Sequence, residues 1–340
     1  MLVTHGTDLE GLFLNPAMYS IVIPVYKNED SIGELLNCLQ HIDEQLPGSL
    51  EVVFVIDGSS DQSLHRLATM LPSAPFSSKV VVLSRNFGSF AAIRVGLEKA
   101  SAKYFAVMAA DLQEPPELII GFFEALANDE ADVVVGTRIA REDPLFSQWA
   151  SQIFWFLYRK LVQSETPKGG IDVFGCNELF RESLLKLDES HTSLVGLLLW
   201  LGFRRKLIPY RRQKRVHGKS GWTLLKRIQY LLDSAFSFSH TPIQVLFWMG
   251  LFGCTTSVVL SLVVVWARLS GRIQVPGYSP VVLTITFFGS LNLICLAIVG
   301  SYVWRAFENT KHRPGAVVMK ELSFIPASQH ELLRSSTRDL

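Results

Sequence analysis

Five apolar runs rich in β-branched residues recur along the first 136 positions, and each is followed by a stretch with helical spacing. Tyr19–Val25, Glu51–Asp57, Lys79–Leu83, Tyr104–Ala109 and Asp132–Gly136 read as strands. Ser31–Ile42, Gln62–Leu71, Ser89–Ala100 and Pro116–Ala127 read as helices between them. Strands that are apolar throughout, and separated by helices, predict a mainly parallel α/β sheet covered on both faces. Ligands of such sheets bind beyond the carboxyl ends of the strands. That rule singles out Tyr26, Asp57, Arg85 with Asn86, Asp111, and Thr137 with Arg138.

From Leu145 the pattern changes. Aromatic residues interleave with polar ones over about 145–163, which predicts an amphipathic helix. Packing on the sheet and lying at a lipid headgroup layer fit its periodicity equally. Trp222–Phe238, inside a juxtamembrane stretch 221–241, is a second amphipathic helix, and its place before an apolar run tilts it toward the interface. Two apolar runs close the chain, Ile243–Ala267 and Val281–Trp304, with Pro242 and Pro280 just ahead of them. Each exceeds the roughly 20 residues that cross a bilayer core. The short linker predicts an antiparallel transmembrane hairpin over 242–305. The expected organisation is an extension over 1–18, a catalytic domain over 19–220, the juxtamembrane helix, the hairpin, and a tail over 306–340 that is poorly ordered beyond about Lys320.

Charge adds topology. The net charge of the 340 residues is +1, which gives no pull toward nucleic acid. Locally, Arg204, Arg205, Lys206, Arg211, Arg212, Lys214, Arg215, Lys219, Lys226 and Arg227 precede the first span, and Arg305, Lys311, Arg313 and Lys320 follow the second. The hairpin loop carries only Arg268 and Arg272. The excess of positive charge places the soluble domain and both termini in the cytoplasm. Cys38, Cys176, Cys254 and Cys295 form no CxxC pair and read as free thiols of a reducing compartment. The first twenty residues lack a basic start followed by an apolar core, so membrane entry is expected to rely on the C-terminal pair.

The strand ends carry the chemistry. Ile21-Val22-Ile23-Pro24-Val25-Tyr26, then Val55-Ile56-Asp57-Gly58-Ser59-Ser60-Asp61, then Ala110-Asp111-Leu112-Gln113-Glu114-Pro115-Pro116-Glu117 fall on successive strands. Singly, Asp-Gly-Ser reads as a turn and Asp61 as a helix cap. In order on one sheet they are far more specific. Together with Leu83-Ser84-Arg85-Asn86-Phe87-Gly88, Gly136-Thr137-Arg138, the stretch Arg215-x-x-Gly218-x-Ser220, Asp233 and Ser237-Phe238-Ser239, the chain resembles family 2 glycosyltransferases of the GT-A fold. The resemblance runs from about Tyr19 to about Pro314. It points to the branch of dolichol-phosphate mannose synthase and the bacterial polyprenyl-phosphate glycosyltransferases.

That resemblance implies inverting transfer of a sugar from a nucleotide-diphosphate sugar donor to a polyprenyl phosphate, undecaprenyl phosphate above all, at the inner (cytoplasmic) membrane for cell-envelope glycan modification. It implies a divalent ion, Mg²⁺ or Mn²⁺, held by Asp111 and Gln113. Pro24, Tyr26, Asn28 and Asp57 match donor-binding positions, with Asp111 shared between donor and ion. Arg138, Ser151 and Arg215 match positions on the acceptor phosphate. Arg212, Lys219 and Ser220 are added from charge and position, while the remaining basic residues are expected on anionic lipid. Asp172, in Gly170-Ile171-Asp172-Val173, falls where relatives carry an aspartate sometimes assigned as base. Relatives also form homo-oligomers, although no residue here carries that expectation.

Three departures remove negative charge near the donor. Ile56 and Ala109 stand where relatives carry the first aspartates of Asp-Asp-Gly-Ser and Asp-x-Asp, and Asn28 stands for an acid. They motivate an alternative, a catalytically degenerate membrane scaffold or regulator. A processive polysaccharide synthase, the other alternative, is disfavoured because the chain has no Gln-x-x-Arg-Trp pentapeptide.

Overall fold

The structure is a computed structural model that describes residues 17–140, 156, 158–160, 166–167, 171, 173–189, 193–213, 224–239, 241–270 and 278–326. Ser151, Asp172, Arg215, Lys219 and Ser220 lie outside the described residues. An eight-stranded sheet forms the centre, made of β1 (Ala17–Val25), β2 (Leu50–Ile56), β3 (Ser77–Leu83), β4 (Ala102–Val107), β5 (Val133–Ala140), β6 (Phe174–Asn177), β7 (Arg205–Arg211) and β8 (Val318–Phe324). Their spatial order is β7-β5-β6-β4-β1-β2-β3-β8. Pairs among β1, β2, β3 and β4 are parallel, as is β5 with β7. β6 and β8 run antiparallel to their neighbours.

All five expected strands are present, within a few residues of the ends read from sequence. The helices between them are α1 (Ile32–Gln45), α2 (Ser63–Met70), α3 (Ser89–Lys99) and α4 (Pro116–Ala127). Alternate residues of the central strands feed two apolar layers. Ile21, Ile23, Phe54 and Val134 pack with α1 and α4 on one face. Val22, Val55, Phe105 and Val135 pack with α3, α5 (Glu178–Lys186) and α6 (Leu194–Trp200) on the other.

Helices α3 and α5 cap each other. Arg94 of α3 donates to the carbonyls of Leu184, Leu185 and Leu187 at the end of α5. Arg181 of α5 donates to Leu97, Glu98 and Ala100 at the end of α3. Each guanidinium thereby satisfies carbonyls that a helix terminus leaves open.

Two expectations change. The tail is not uniformly loose beyond Lys320, because β8 runs through Phe324 on the edge of β3. Leu322 and Phe324 bury their side chains in the core, Lys99 pairs with Glu321 at 2.9 Å, and Ser84 N–H donates to Val317 O. Two residues of the basic stretch expected on lipid, Arg204 and Lys206, pair within the domain instead. Arg204 is held by Asp129 and Asp132, and Lys206 by Glu130, at the amino end of β7. Pairing within the domain wins because the loop before β5 places three acids beside that strand.

The helix expected over Trp222–Phe238 is α7 (Leu224–Phe238). One face is fastened to the sheet layer. Tyr230 and Tyr158 stack at 6.1 Å, and both hydroxyls share Ser193 Oγ, at 2.9 and 3.1 Å. Burial pushes both phenols up, and at Tyr230 the charge of Tyr158 adds to it, so they stay protonated. Phe238 lies against the backbone of Gly196, where an added Cβ would sit 2.3 Å from its ring. Tyr158 is fully buried while Phe156 is exposed, so the described part of the 145–163 helix packs one face on the domain.

The next face of α7 grips the last long helix. The two long helices are α8 (Thr241–Leu269) and α9 (Tyr278–Thr310). Arg305 donates to Asp233 at 2.7 Å and to Ser237, and Phe236 meets Tyr302 edge-on at 5.2 Å. α8 and α9 touch where Gly253 faces Phe288 and Leu291. Both turn large apolar side chains outward, including Phe247, Phe252 and Leu262 on α8 and Ile285, Leu293 and Leu296 on α9. Among the described residues one stretch, Phe287–Thr310, is long and apolar enough to cross a bilayer, and Thr241–Gly253 is a shorter apolar run.

Candidate active site

The chain leaves β1 toward β2 and β3 on one side, then returns to place β4 on the other. The carboxyl ends of β1 and β4 therefore flank a topological switch point, where α/β sheets bind ligands. The last β1–β4 pair is Val22 with Val107, and Met108 N–H still reaches Val22 O at 3.1 Å. Beyond it the strands part. Pro24 lies just past this point, with its N directed to the side that β4 has vacated, so the missing N–H breaks no ladder bond. Ser31 Oγ spans the opening by donating to Ala110 O at 2.9 Å.

The β1 side of the crevice is a hydrogen-bonded loop cluster. Tyr26 N–H donates to Asn28 Oδ1, which folds the loop back on itself, and the Tyr26 ring is exposed. Lys27 sits in the left-handed region at φ 56°. Asp61 ties this loop to the start of α2: it accepts from Ser59 Oγ, Ser63 Oγ, Ser63 N–H and Glu29 N–H. Partial burial raises its carboxyl, yet these donors outweigh burial and hold it below the usual range. The N-cap of α2 is Gln62, which makes no side-chain cap bond, so Asp61 is not the helix cap read from the sequence and serves as a brace between two strand-end loops.

Asp57, 3% exposed, faces the turn before α3. Its two carboxylate oxygens accept from Phe87 N–H at 2.7 Å and Gly88 N–H at 2.9 Å, at the positive end of that helix. Asn86 Nδ2 adds a bond to Asp57 O. Gly58, at φ +58°, allows the close approach, because a Cβ there would lie 2.3 Å from the Arg85 carbonyl carbon and Asn86 N. Gly58→Ala is expected to destabilise the domain by about 1–2 kcal/mol through the left-handed penalty, with the clash against Arg85 and Asn86 adding to it. A thermal melt of the purified chain checks this.

The β4 side is a single strained turn. Leu112 is left-handed at φ 56°, between Asp111 and Gln113. Gln113 is fixed from the far end of the sheet. Its Nε2 donates to Gln213 O at 3.1 Å, Gln213 N–H donates to Gln113 O at 2.9 Å, and Arg212 Nη2 donates to Gln113 Oε1. Arg212 follows directly on β7, whose partner β5 carries Arg138 opposite Tyr210. The structure therefore brings Asp111, Gln113 and Arg212 together, with Arg138 on the strand beside β7, and Pro24, Tyr26, Asn28 and Asp57 across the crevice.

Sequence reasoning missed Glu114. Its side chain is buried, and burial, then the charge of Asp111, push its carboxyl up to about 7, against the pull of Arg212. The signal was thin: an acid between Gln113 and a Pro-Pro helix start reads as a solvated first-turn charge. It adds a second acid beside Asp111, in a chain that has Ala109 where relatives carry one.

Among the described residues no three acidic, histidine or cysteine side chains converge on one point. Asp111 and Gln113 are the side chains of this turn whose oxygens could hold a divalent ion, with the Gln113 oxygen engaged by Arg212 in this structure.

The sequence profile described as Glycosyl transferase family 2 matches residues 20–187. An uncharacterized glycosyltransferase of Synechocystis sp. is 30% identical over 296 residues, covering 87% of this chain and 92% of the relative. The bactoprenol glucosyl transferase of Shigella phage SfV is 30% identical over 308 residues, covering 89% of this chain and 98% of the relative. This chain belongs to glycosyl transferase family 2. The match extends past the profile to the long helices, so this glycosyltransferase shares with those relatives nearly its whole length. The crystal structure of glucosyl-3-phosphoglycerate synthase from Mycobacterium tuberculosis with Mg²⁺ and UDP overlays at a TM-score of 0.44 and 17% identity, over 64% of this chain and 78% of that one.

Proposed function

We propose that this glycosyltransferase moves a sugar from a nucleotide-diphosphate donor to a polyprenyl phosphate, with inversion at the anomeric carbon. The observation that carries the reading is the crevice at the β1–β4 switch point, with the Asp111 turn on one wall and the segment after β7 reaching into it. Similarity to a bactoprenol glucosyl transferase over nearly the full chain supports the acceptor class.

In this reading the nucleoside lies against Pro24, Tyr26 and Asn28, and Asp57 holds the turn before α3 that closes that end. Asp111 and Gln113 hold Mg²⁺ or Mn²⁺, which when bound offsets the charge growing on the diphosphate. Arg138, Arg212, Arg215, Lys219, Ser220 and Ser151 form the acceptor-phosphate cradle. The second pKa of a phosphate monoester lies near 6, so the acceptor is largely dianionic at neutral pH. Its oxygen forms the new bond to the anomeric carbon as the carbon–oxygen bond to the diphosphate breaks, and no proton has to move. Asp172 is therefore assigned to orienting the sugar or an arginine, and the arginines to holding the nucleophile in line.

The outward apolar faces of α8 and α9 support a hairpin that crosses the cytoplasmic membrane twice, with the catalytic domain on the cytoplasmic side. α7 then works as a bracket. Its Tyr230 and Phe238 hold the catalytic domain, and its Asp233 and Ser237 hold Arg305 at the end of the second span, which keeps the cradle at headgroup height.

The test is a screen of radiolabelled nucleotide sugars with undecaprenyl phosphate and the detergent-purified full chain. One donor is expected to pass label into a single lipid product. No transfer from any donor, by protein shown to be folded by its melting transition, rejects the reading. A ladder of long products would reassign the chain to polymer synthesis.

A further inference from the structure

The hydrogen bond between Arg212 and Gln113 places a guanidinium on the same amide oxygen that the proposed function gives to the divalent ion. The amide has no easy alternative pose. Its Nε2 is committed to Gln213 O, and Gln213 N–H is committed to Gln113 O. A flip would set the NH₂ group against the guanidinium and the oxygen against a carbonyl. A guanidinium and a divalent ion cannot share that oxygen without strong like-charge repulsion at close range. Arg212 is also incompletely used where it sits, since its Nε is buried with no hydrogen-bond partner among the described residues. It keeps donors for an arriving anion.

We propose that Arg212 is a built-in counter-ion that holds the ion position closed until a nucleoside diphosphate draws the guanidinium away. The proposal rests on the reading of Asp111 and Gln113 as the ion's ligands. Ala109 makes the device effective here. With that acid missing, Asp111 carries the negative charge of this turn, and one guanidinium goes far toward neutralising it. A diphosphate supplies anionic oxygens for both partners at once, so Arg212 can leave Gln113 for the phosphate while the ion takes its place. Donor and ion then bind as a pair, and the ion alone binds weakly. Arg212 acts through Gln113 and is in this respect a positioning residue.

Mn²⁺ binding to the full chain in detergent, read from the electron paramagnetic resonance signal of free Mn²⁺, tests this without turnover. Without nucleotide, Arg212→Gln is expected to bind Mn²⁺ about tenfold tighter than the unmodified chain. Arg211→Gln, which removes the same net charge from an exposed neighbour, is expected to stay within twofold. Equal or weaker binding by Arg212→Gln, including no binding by either protein, overturns the proposal, as does an equal gain in Arg211→Gln. Adding Asp111→Asn to Arg212→Gln separates the two layers. A gain that survives this change puts the ion elsewhere and sinks the Asp111 reading, whereas the absence of any gain in Arg212→Gln sinks the counter-ion alone.

Discussion

Asp111→Asn is expected to lower the rate of sugar transfer at saturating donor by at least about 10³-fold while leaving the fold intact. The side chain keeps its size and loses its charge, so packing in the turn around Leu112 is preserved. At about 1.4 kcal/mol per tenfold, the loss corresponds to roughly 4 kcal/mol of transition-state stabilisation. That is the scale of a Lewis acid offsetting charge on a leaving diphosphate. The effect should be steeper here than in a site with paired aspartates, because Ala109 leaves no first aspartate to retain the ion. Single-turnover transfer to undecaprenyl phosphate measures it, with a melting curve beside it. A rate within tenfold of the unmodified chain, at an unchanged melting temperature, would remove Asp111 from the chemistry and leave Arg138 and Arg212 to bear the charge.

How far the site was legible depends on which kind of information each residue carries. Strand-end residues follow from hydropathy, since the carboxyl halves of β1, β2 and β4 are continuously apolar and stop abruptly. Tyr26, Asp57 and Asp111 were therefore located by position before any contact was known. The partners they acquire were not. That Asp57 grips Phe87 and Gly88, and that Gln113 bonds to Arg212 and Gln213 about a hundred positions away, depends on strand order, which a local pattern does not encode. The strands that were missed share a cause. β6 is four residues long, β7 reads Arg205-Lys206-Leu207-Ile208-Pro209-Tyr210-Arg211, and β8 alternates with only Leu322 and Phe324 buried. Short or edge strands show no continuous apolar run, and charge on an edge is how sheets resist further pairing. The same edge chemistry made Arg204 and Lys206 look lipid-facing, although their acids lie just before β5.

The amino edge of the sheet carries the largest stability effect, well away from the crevice. Glu51 is 4% exposed and accepts from Ser20 Oγ at 3.0 Å, Ser101 N–H at 2.8 Å and Ser101 Oγ at 2.9 Å, and it pairs with Lys79 at 2.9 Å. It ties β1, β2, β3 and the α3–β4 turn at one point. Burial raises its carboxyl, but Lys79 and the Ser101 bonds outweigh burial and hold it below the usual glutamate range. Glu51→Ala leaves the Lys79 ammonium and two serine hydroxyls facing a cavity, a change that typically removes about 3 kcal/mol. The melting temperature should fall by roughly 6–12 °C for a domain of this size, while transfer measured well below the transition is retained because the crevice is untouched. The pH dependence follows from the lowered value. The folded chain holds this proton less tightly than the unfolded chain, so the contribution is complete above the ordinary value of 4.5 and is lost as pH falls below it through the folded value. Melting curves of the two proteins should therefore differ most near neutral pH and converge in acid. A constant gap down to strongly acid pH would show that shape, rather than charge, is what Glu51 contributes.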